Sequence, residues 1–543
     1  MNGKRTQPDA AATGTSTPTA KATSTESPEK KTRVHGAPQQ AQEEEQPAGQ
    51  VWVFGSGDCG QLALGEEVLS CTRPRRQPFF DALDAVAVAA GGLHTLVLTR
   101  AGAVYAWGCN DERALGHSAE EFSVARVEGL VDGAGAPERI VQVACGDSIS
   151  AALTADGRVF TWGTFRDSKG LLGVADESWV SGSGSGSEGT GNSIGNSTGK
   201  GTGSSTGKGT GKGTGNSTGK GTGKSQGHGQ AHGQAHAQGH GHGQSTLTTS
   251  NITNNTNTNA SSTSLHSTLT RTSSQSARSR DYHERPTPLQ AMQGLTVRRL
   301  AAGANHLLAL TQDGEVYAWG SGEQGQLGRR VLERHKLRAL LPTRITPRAH
   351  RAHGGIASVF CGAYHSFLLA RDGTVFAVGL NNFGQLGLGD CRDRLAPVPV
   401  PPEAWQGHRI VALAAGEHHS LALAATGRVF AFGRADSGQL GLGALDAPLH
   451  HTGTSHAKKA LPTPVLVPLL SGCIRIAAGS NHNIATTAAN DIYTWGFGEM
   501  GQLGHGVEED ELQPRLLAWK GGPAPAVLDA SAGGQHSVLL MRK

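Results

Sequence analysis

Short apolar runs of five or six residues recur along the chain, and each follows a glycine turn of the pattern A-G-x-x-H-S/T or a close variant. Successive glycines of this first frame lie 54 to 63 residues apart, except for one interval of 157 residues that contains a biased stretch of 107 residues. Without that stretch the interval is 50 residues, so one repeat runs through the chain. The seven repeated glycines are Gly91, Gly146, Gly303, Gly362, Gly416, Gly479 and Gly533.

A second frame follows each time, in which an apolar run with aromatic residues ends at a glycine, as in Tyr105-Ala106-Trp107-Gly108. It also occurs seven times. Between the frames lie turns such as Ala155-Asp156-Gly157, which are typical of β-hairpins because glycine accepts a positive φ. Each repeat is therefore predicted to form several short antiparallel strands.

One such unit cannot bury both of its faces, and units of this length solve the problem by radial stacking as the blades of a propeller. The chain begins with the second frame alone, from Val51 to Leu64, and ends with the first frame alone, from Val527 to Leu540. The two halves can complete one blade, whereas an open solenoid would need distinct caps. The sequence therefore predicts an all-β fold, a seven-bladed β-propeller over residues 51–543 that is closed by pairing of its N- and C-terminal strands.

Two segments lack this periodicity. Residues 1–50 mix Thr, Pro, Ala and charged residues, and residues 177–283 consist of Gly-Ser, Thr-Gly-Lys-Gly and Gly-Gln-Ala-His units followed by an Asn/Thr/Ser tract. Neither composition can bury enough apolar surface to fold, so we expect a disordered tail and a long disordered insertion within the propeller. The short basic clusters Lys4-Arg5 and Lys30-Lys31-Thr32-Arg33 are candidates for nuclear import or for contact with DNA. The lysines and arginines of the insertion are candidates for weak, sequence-independent contact with phosphate.

Composition narrows the functional classes. The 543 residues include 78 Gly, and the net charge of +4 is too small to indicate a partner by itself. The seven cysteines include no C-x-x-C pair, which argues against a disulfide framework and a zinc site. The N-terminus from Met1 to Arg5 onward has no apolar signal-peptide region, and no run of 18 apolar residues occurs, so we expect neither secretion nor a membrane partner. The motifs G-x-S-x-G, G-x-x-x-x-G-K-[ST] and H-E-x-x-H are absent, so we expect no covalent chemistry, no cofactor and no bound metal.

The repeated histidine favours an architectural role, such as a bond to a neighbouring backbone, because it is present in six of the seven repeats (His94, His306, His365, His419, His482 and His536). Positions that vary inside the fixed frame are more informative, since equivalent sites form a ring on one face of a propeller. They include Asp147, Asn305, Tyr364, Glu417-His418, Ser480-Asn481 and Gly534-Gln535. The predicted ring is polar and suited to a protein partner.

At this level of detail the chain resembles the regulator of chromosome condensation family. The resemblance depends on the frames and on strings outside them, including Gly108-Cys109-Asn110-Asp111-Glu112, Trp162-Gly163-Thr164-Phe165-Arg166-Asp167 and Gly322-Glu323-Gln324-Gly325-Gln326-Leu327-Gly328-Arg329. It covers Val51 to Met541 apart from the insertion. The resemblance implies a nuclear, chromatin-associated and monomeric guanine-nucleotide exchange factor for the GTPase Ran.

The resemblance also assigns residues. A hairpin called the wedge, which projects towards the nucleotide site of Ran, matches Phe165, Arg166, Asp167, Ser168, Lys169 and Gly170. Residues important for exchange match Asp147, His418 and His536, with His94 and Asp58 as weaker candidates. Two positions depart from the family pattern: Asn305 stands where the family has an acidic residue, and Ile149 replaces the repeated histidine beside Asp147.

A basic segment from Arg329 to Arg351 carries eight Lys or Arg residues and the single acid Glu333. A solvated loop is one interpretation. By position the segment resembles the family's switchback loop, whose arginines engage the acidic patch of histones, and arginine suits carboxylates through paired donors. The residues so assigned are Arg329, Arg330, Arg334, Lys336 and Arg338. The alternative to the whole assignment is a propeller of this family that docks chromatin or another protein without exchange activity.

Overall fold

The computed structural model describes residues 48–119, 122–175, 283–444, 459–519, 522 and 524–543. Within these ranges seven four-stranded antiparallel units surround a central channel, and a separate two-stranded hairpin accompanies them. The predicted all-β, seven-bladed propeller is confirmed. Most of the predicted tail (1–50) and insertion (177–283) lies outside the described residues, but Gly49, Gln50 and His283 belong to propeller strands.

Each blade contains an inner strand beside the channel, a histidine-frame strand, an aromatic-glycine strand and an outer strand, in that order. The first blade uses both chain ends, and its first two strands in the chain are β1 (Gly49–Ser56) and β2 (Ser70–Arg76). Blade 2 contains β3 (Ala85–Ala90), β4 (His94–Thr99), β5 (Val104–Gly108) and β6 (Ala125–Arg126). Blade 3 contains β7 (Ile140–Cys145), β8 (Ile149–Thr154), β9 (Val159–Gly163) and, after the hairpin strands β10 (Phe165–Asp167) and β11 (Gly170–Gly173), β12 (His283–Pro288).

The next four blades repeat the pattern. Blade 4 contains β13 (Val297–Ala302), β14 (His306–Thr311), β15 (Val316–Gly320) and β16 (Thr343–Arg344), and blade 5 contains β17 (Ile356–Cys361), β18 (His365–Ala370), β19 (Val375–Gly379) and β20 (Arg394–Pro399). Blade 6 contains β21 (Ile410–Ala415), β22 (His419–Ala424), β23 (Val429–Arg434) and β24 (Ala460–Leu466), and blade 7 contains β25 (Cys473–Ala478), β26 (His482–Thr487), β27 (Ile492–Gly496) and β28 (Glu511–Leu516). Short 3₁₀ helices connect strands at Pro78–Asp81, Gln290–Met292, Glu333–Leu340, Arg348–His353 and Pro402–Trp405.

The chain ends close the disc as the sequence predicts. The last strands, β29 (Val527–Ala532) and β30 (His536–Arg542), join β1 and β2 in blade 1. β30 pairs with β1 antiparallel from Gly49↔Arg542 to Gly55↔His536. Because every hydrogen bond of this pairing joins the two ends of the chain, the ring closes through backbone contacts rather than through a cap.

The repeated glycines bring the inner ends of neighbouring blades into close contact. A Cβ atom at Gly91 would lie 2.3 Å from the carbonyl oxygen of Gly146, and a Cβ at Gly146 would lie 2.5 Å from that of Gly303. The same approach continues through the other five repeated glycines until Gly533, whose Cβ would lie 2.5 Å from the carbonyl oxygen of Gly91. These positions therefore have no room for a side chain, which explains why each repeat has glycine there.

The repeated histidines join the blades, which supports the architectural interpretation. The Nε2 atom of His94 lies 2.8 Å from Ser150 Oγ of the next blade, and His536 Nε2 lies 2.8 Å from Thr95 Oγ1 across the closing seam. His306, His365, His419 and His482 make the equivalent contact with Ser366, Ser420, Asn483 and Ser537 at 2.8 to 2.9 Å. Each of the six histidines is fully or almost fully buried.

One seam is built differently. Ile149 replaces the histidine of blade 3, and the position that would receive its bond on blade 4 is occupied by Leu307. Both side chains are fully buried in one apolar cluster with Phe165 and Trp319. Because the donor and the acceptor are both replaced by apolar groups, no polar atom of the missing pair is left buried without a partner. This seam lies beside the hairpin β10–β11.

Candidate functional site

The polar ring and the hairpin lie on the same face of the disc. The backbone amide of Arg166 in the hairpin donates to Asn305 Oδ1 at 2.8 Å, and Asn305 belongs to the ring. On blade 5 the ring of Phe383 lies 5.0 Å from that of the ring residue His418. The channel opens on this face as a cavity of about 300 Å³, lined at its mouth by Asp147, Glu417 and Ser480.

Asp147 is the central acidic group of the mouth. Its backbone amide donates to the carbonyl of Ala304 at 2.8 Å, which fixes the turn that carries it. The side chain is accessible to solvent, but protein atoms surround it on most sides, and this desolvation raises its pKa to about 6. The nearby Glu417 raises the pKa further, whereas the guanidinium of Arg166 lowers it. Asp147 is therefore mostly ionised at neutral pH and sensitive to a cationic partner.

His418 and Glu417 form the opposite side of the mouth. His418 Nε2 lies 3.6 Å from Glu417 Oε1, and the imidazole packs between Phe383 and Tyr364, with its ring centroid 5.0 and 5.7 Å from theirs. Its side chain is 15% exposed and that of Glu417 is 33% exposed. Asn481 Nδ2 donates to Glu417 Oε2 at 3.4 Å. The prediction that His418 differs from the repeated histidine agrees with its placement, since His418 faces the mouth and its neighbour His419 lies in a blade seam.

Asp58 lies on blade 1 in the turn that follows β1. Ser56 Oγ and Gln61 Nε2 donate to Asp58 Oδ1 at 2.7 and 2.9 Å. Partial burial raises the pKa of Asp58, but these hydrogen bonds together outweigh it and the pKa lies below its usual value. Asp58 is thus an exposed, ionised carboxylate.

The structure separates two of the predicted exchange residues from the others. His94 and His536 lie in the blade seams described above and have almost no exposed surface, 1% and 0%. Burial lowers the pKa of His94 to about 4 and that of His536 to about 3. These side chains do not reach the face, so any effect on a partner would act through the blades that they join.

The predicted wedge forms a two-stranded hairpin at the rim of the face. Strand β10 pairs with β11 through Phe165↔Gly173, Arg166↔Leu171 and Asp167↔Gly170. Phe165 is buried in the cluster of the unusual seam, which anchors the base, while Ser168 and Lys169 are exposed at the tip. Arg166 forms an ion pair with Glu112 of blade 2.

The basic segment divides into inward and outward residues. Lys336 Nζ lies 3.0 Å from Asp167 Oδ2 of the wedge. Arg329 is half-buried, its Nη1 atom lacks a hydrogen-bond partner, and desolvation lowers the pKa of its guanidinium. Arg330, Arg334 and Arg338 are exposed. Of the five residues predicted to bind histones, only these three form an accessible group.

Two acidic residues at the site were missed by the sequence reasoning. Glu112 pairs with Arg166, and Glu323 accepts hydrogen bonds from Ser168. Both lie in the strings that carry the family resemblance, and an acid just after each aromatic-glycine step is the signal that was available. With Asp58, Asp147 and Glu417 they place five carboxylates at the mouth and rim, of which Glu112 is paired with Arg166.

The described residues contain no group of three or more His, Cys, Asp or Glu side chains that could hold a metal ion. Among the helices in the same ranges, none is long and apolar enough to span a membrane.

Comparisons with known proteins agree with this architecture. Residues 48–98 and 101–153 match the regulator of chromosome condensation (RCC1) repeat, and residues 260–539 match the RCC1-like domain. Repeat and fold together define the chain as an RCC1-type propeller. The chain belongs to the regulator of chromosome condensation family.

Alignments with individual relatives cover most of the chain. Regulator of chromosome condensation from Xenopus laevis is 30% identical and aligns with 91% of this chain and 90% of its own length. Guanine nucleotide exchange factor SRM1 from Saccharomyces cerevisiae is 26% identical, with 90% and 86% aligned. The ultraviolet-B receptor UVR8 from Arabidopsis thaliana is 25% identical, with 90% and 80% aligned, so relatives along most of the chain are named for different activities.

Among solved structures, that of Prp20p from Saccharomyces cerevisiae superposes with a TM-score of 0.67 at 26% identity and covers 92% of each chain. Prp20p is described by its binding to Gsp1p and histones.

Proposed function

We propose that this protein is a guanine-nucleotide exchange factor for Ran that acts at chromatin in the nucleus. The observation that supports this most is the wedge, a hairpin anchored by a buried base beside an acidic mouth. Two relatives support it as well, one named as an exchange factor and one described as binding Gsp1p and histones.

The proposed mechanism needs no covalent step. The carboxylates of Asp147 and Glu417 would attract the basic phosphate-binding surface of a GTPase that has lost its nucleotide. The wedge would displace the loops that cradle phosphate and Mg²⁺, so that the affinity of Ran for nucleotide falls. By linkage, nucleotide must weaken the grip of the propeller on Ran by the same factor, so incoming nucleotide releases it and either GDP or GTP can bind.

We expect Asp147→Asn to slow release of labelled GDP from Ran roughly tenfold, because it removes the central charge of the mouth but keeps the shape of the side chain. The measurement is the release rate from purified Ran at pH 7.5 with catalytic amounts of the protein. Asp313→Asn, which neutralises an exposed aspartate in a turn of blade 4, is the matched control and should leave the rate unchanged. If wild-type protein fails to accelerate release, the proposed function is wrong. If wild-type protein accelerates release and the Asp147→Asn variant accelerates it equally, Asp147 has no part in exchange.

Chromatin association is proposed to depend on the outward arginines Arg330, Arg334 and Arg338. Arg334 and Arg338 lie in the 3₁₀ helix Glu333–Leu340 and Arg330 shortly precedes it, so this segment presents several exposed guanidinium groups to carboxylates. Reversing all three to Glu should reduce capture on nucleosomes by at least about tenfold while exchange in solution continues. The charge-matched control reverses Arg75, Arg126 and Arg299, which are exposed on other surfaces. Equal loss in both triple variants would mean that binding follows net charge and not this patch.

A second candidate function is docking without exchange. Asn305 favours it, because this position has an acidic residue in the family and here holds the wedge backbone by an amide oxygen instead. Under this alternative the nucleosome capture above would persist and GDP release from Ran would be unaffected by the protein.

A further inference from the structure

The wedge tip is held from outside by blade 4. Hairpin strands β10 and β11 form a two-stranded sheet of their own. An isolated two-stranded hairpin is marginally stable in water, so its direction depends on what it packs against. At the base, Phe165 provides apolar packing, but the tip residues are polar and need other contacts.

Glu323 contacts the turn of the wedge with both oxygens of its carboxylate. Its Oε2 atom accepts from the Ser168 backbone amide at 2.8 Å, and its Oε1 atom accepts from Ser168 Oγ at 2.7 Å. Glu323 follows strand β15 of blade 4 closely, so the contact crosses from one blade to the next. Two bonds to one residue fix the direction of the turn as well as its distance.

Lys336 holds the strand side of the same tip. The carboxylate of Asp167 is only 3% exposed, and its two oxygens accept from the Lys169 amide at 2.9 Å and from Lys336 Nζ at 3.0 Å. Lys336 lies in the middle of the 3₁₀ helix Glu333–Leu340, and Glu333 of that helix also pairs with Lys169 at 2.6 Å. Without Lys336 the Oδ2 atom of this buried carboxylate would lose its ion-pair partner, which is costly.

We infer that Glu323 and Lys336 are positioning residues that fix the direction of the wedge, and that Lys336 serves this role in place of the histone contact predicted from the sequence. The expected effect of these residues on nucleotide exchange rests on the proposed function. Their effect on the position of the wedge can be tested independently of it. The helix that bears the outward residues Arg334 and Arg338 also contacts the wedge through Lys336.

The first test measures hydrogen exchange of the backbone amides in residues 165–173. Lys336→Met is expected to speed exchange at Ser168 and its neighbours about tenfold, because an unpaired buried carboxylate favours opening of the hairpin. Lys336→Arg keeps the cation and should retain most of the protection. Arg299→Met, an exposed position on β13 of the same blade, is the control. Unchanged protection in Lys336→Met, or an equal loss in the control, would overturn the inference whether or not the protein exchanges nucleotide.

The second test follows Ran exchange over a range of Ran concentrations. For Lys336→Met and Glu323→Gln we expect a roughly tenfold lower maximal rate with little change in the Ran concentration that gives half-maximal rate, because a misdirected wedge weakens a step after binding. Lys336→Arg should recover most of the rate. A change confined to the half-maximal Ran concentration would instead assign these residues a direct contact with Ran. Inactive wild-type protein would refute the proposed function and leave the hydrogen-exchange result to decide the positioning role.

Discussion

Acidification from pH 7 to pH 5 is expected to unfold the propeller cooperatively. The cause is the set of seam histidines, whose pKa values burial lowers to about 4 for His94 and His419 and to about 3 for His306, His482 and His536, with His365 well below its usual value. In five of them the Nδ1 atom has no hydrogen-bond partner. A proton added there would be a buried and unpaired charge.

The hydrogen-bond directions fix the tautomer of the neutral seam histidines. Ser366 Oγ donates its proton to the carbonyl of Gln326 at 2.9 Å, and Ser420 and Ser537 do the same with Gln385 and Gln502. A hydroxyl that has used its proton must accept from the histidine, so Nε2 carries a hydrogen, and in the neutral ring Nδ1 then has none. Asn483 Oδ1, which can only accept, requires the same tautomer of His419.

The direction in which stability changes with pH follows from whether the folded or the unfolded state binds more protons. Between pH 6.5 and about 4 the unfolded chain protonates these six histidines and the folded chain does not, so stability is complete above pH 6.5 and falls as the pH is lowered. Each group contributes about 1.4 kcal/mol per pH unit, and six contribute roughly 8 kcal/mol per pH unit once the unfolded chain is protonated. Asp147, Asp510 and Asp529 act in the opposite sense, because burial raises their pKa values and lets the folded state bind protons. They are three groups against the six seam histidines, which are joined by His117 and His505, whose pKa values burial also lowers.

The measurement is urea unfolding followed by tryptophan fluorescence between pH 7.5 and 5. His482→Gln should reduce the pH dependence by about one proton, whereas His335→Gln, an exposed position, should leave it unchanged. Stability that stays constant over this range would show that the seam histidines are not held neutral.

Replacing Gly533 by Ala is expected to reduce the free energy of unfolding by about 3 kcal/mol or more, because the new Cβ would lie 2.5 Å from the carbonyl oxygen of Gly91 and neither backbone can move without opening the seam. Gly416→Ala creates the same clash with Gly479 at 2.4 Å, inside the continuous part of the chain. Gly133→Ala, where a Cβ would meet nothing within 4 Å, is the control. The urea midpoint of each variant gives the comparison.

The pair Gly533→Ala and Gly416→Ala also tests closure. In a closed ring both substitutions face a neighbouring blade, and we expect similar losses. In an open array Gly533 would have no blade beside it, so a harmless Gly533→Ala together with a damaging Gly416→Ala would contradict ring closure.

The functional face was predictable in part. Asp147 and His418 were found because they vary inside a fixed frame, and the structure places both at the channel mouth. His94 and His536 match family exchange positions but lie in the seams, since the same frame position also has to join two blades. The partners of the wedge, Glu323 and Lys336, were not recognised because they are more than 150 residues from Ser168 and Asp167 in the chain.

The fold itself follows from local information that is repeated. Seven glycine turns, seven aromatic-glycine strands and a half repeat at each end determine the strand pattern, the number of blades and the pairing of the termini, because each unit needs only its neighbours to bury its faces. Tertiary structure alone decided which side chains of a basic helix face outwards and which hold the wedge. Lys336 and Arg338 are two residues apart and both carry a positive charge, yet only Lys336 meets a buried carboxylate, Asp167. That contact depends on how two blades pack and not on any pattern within one of them.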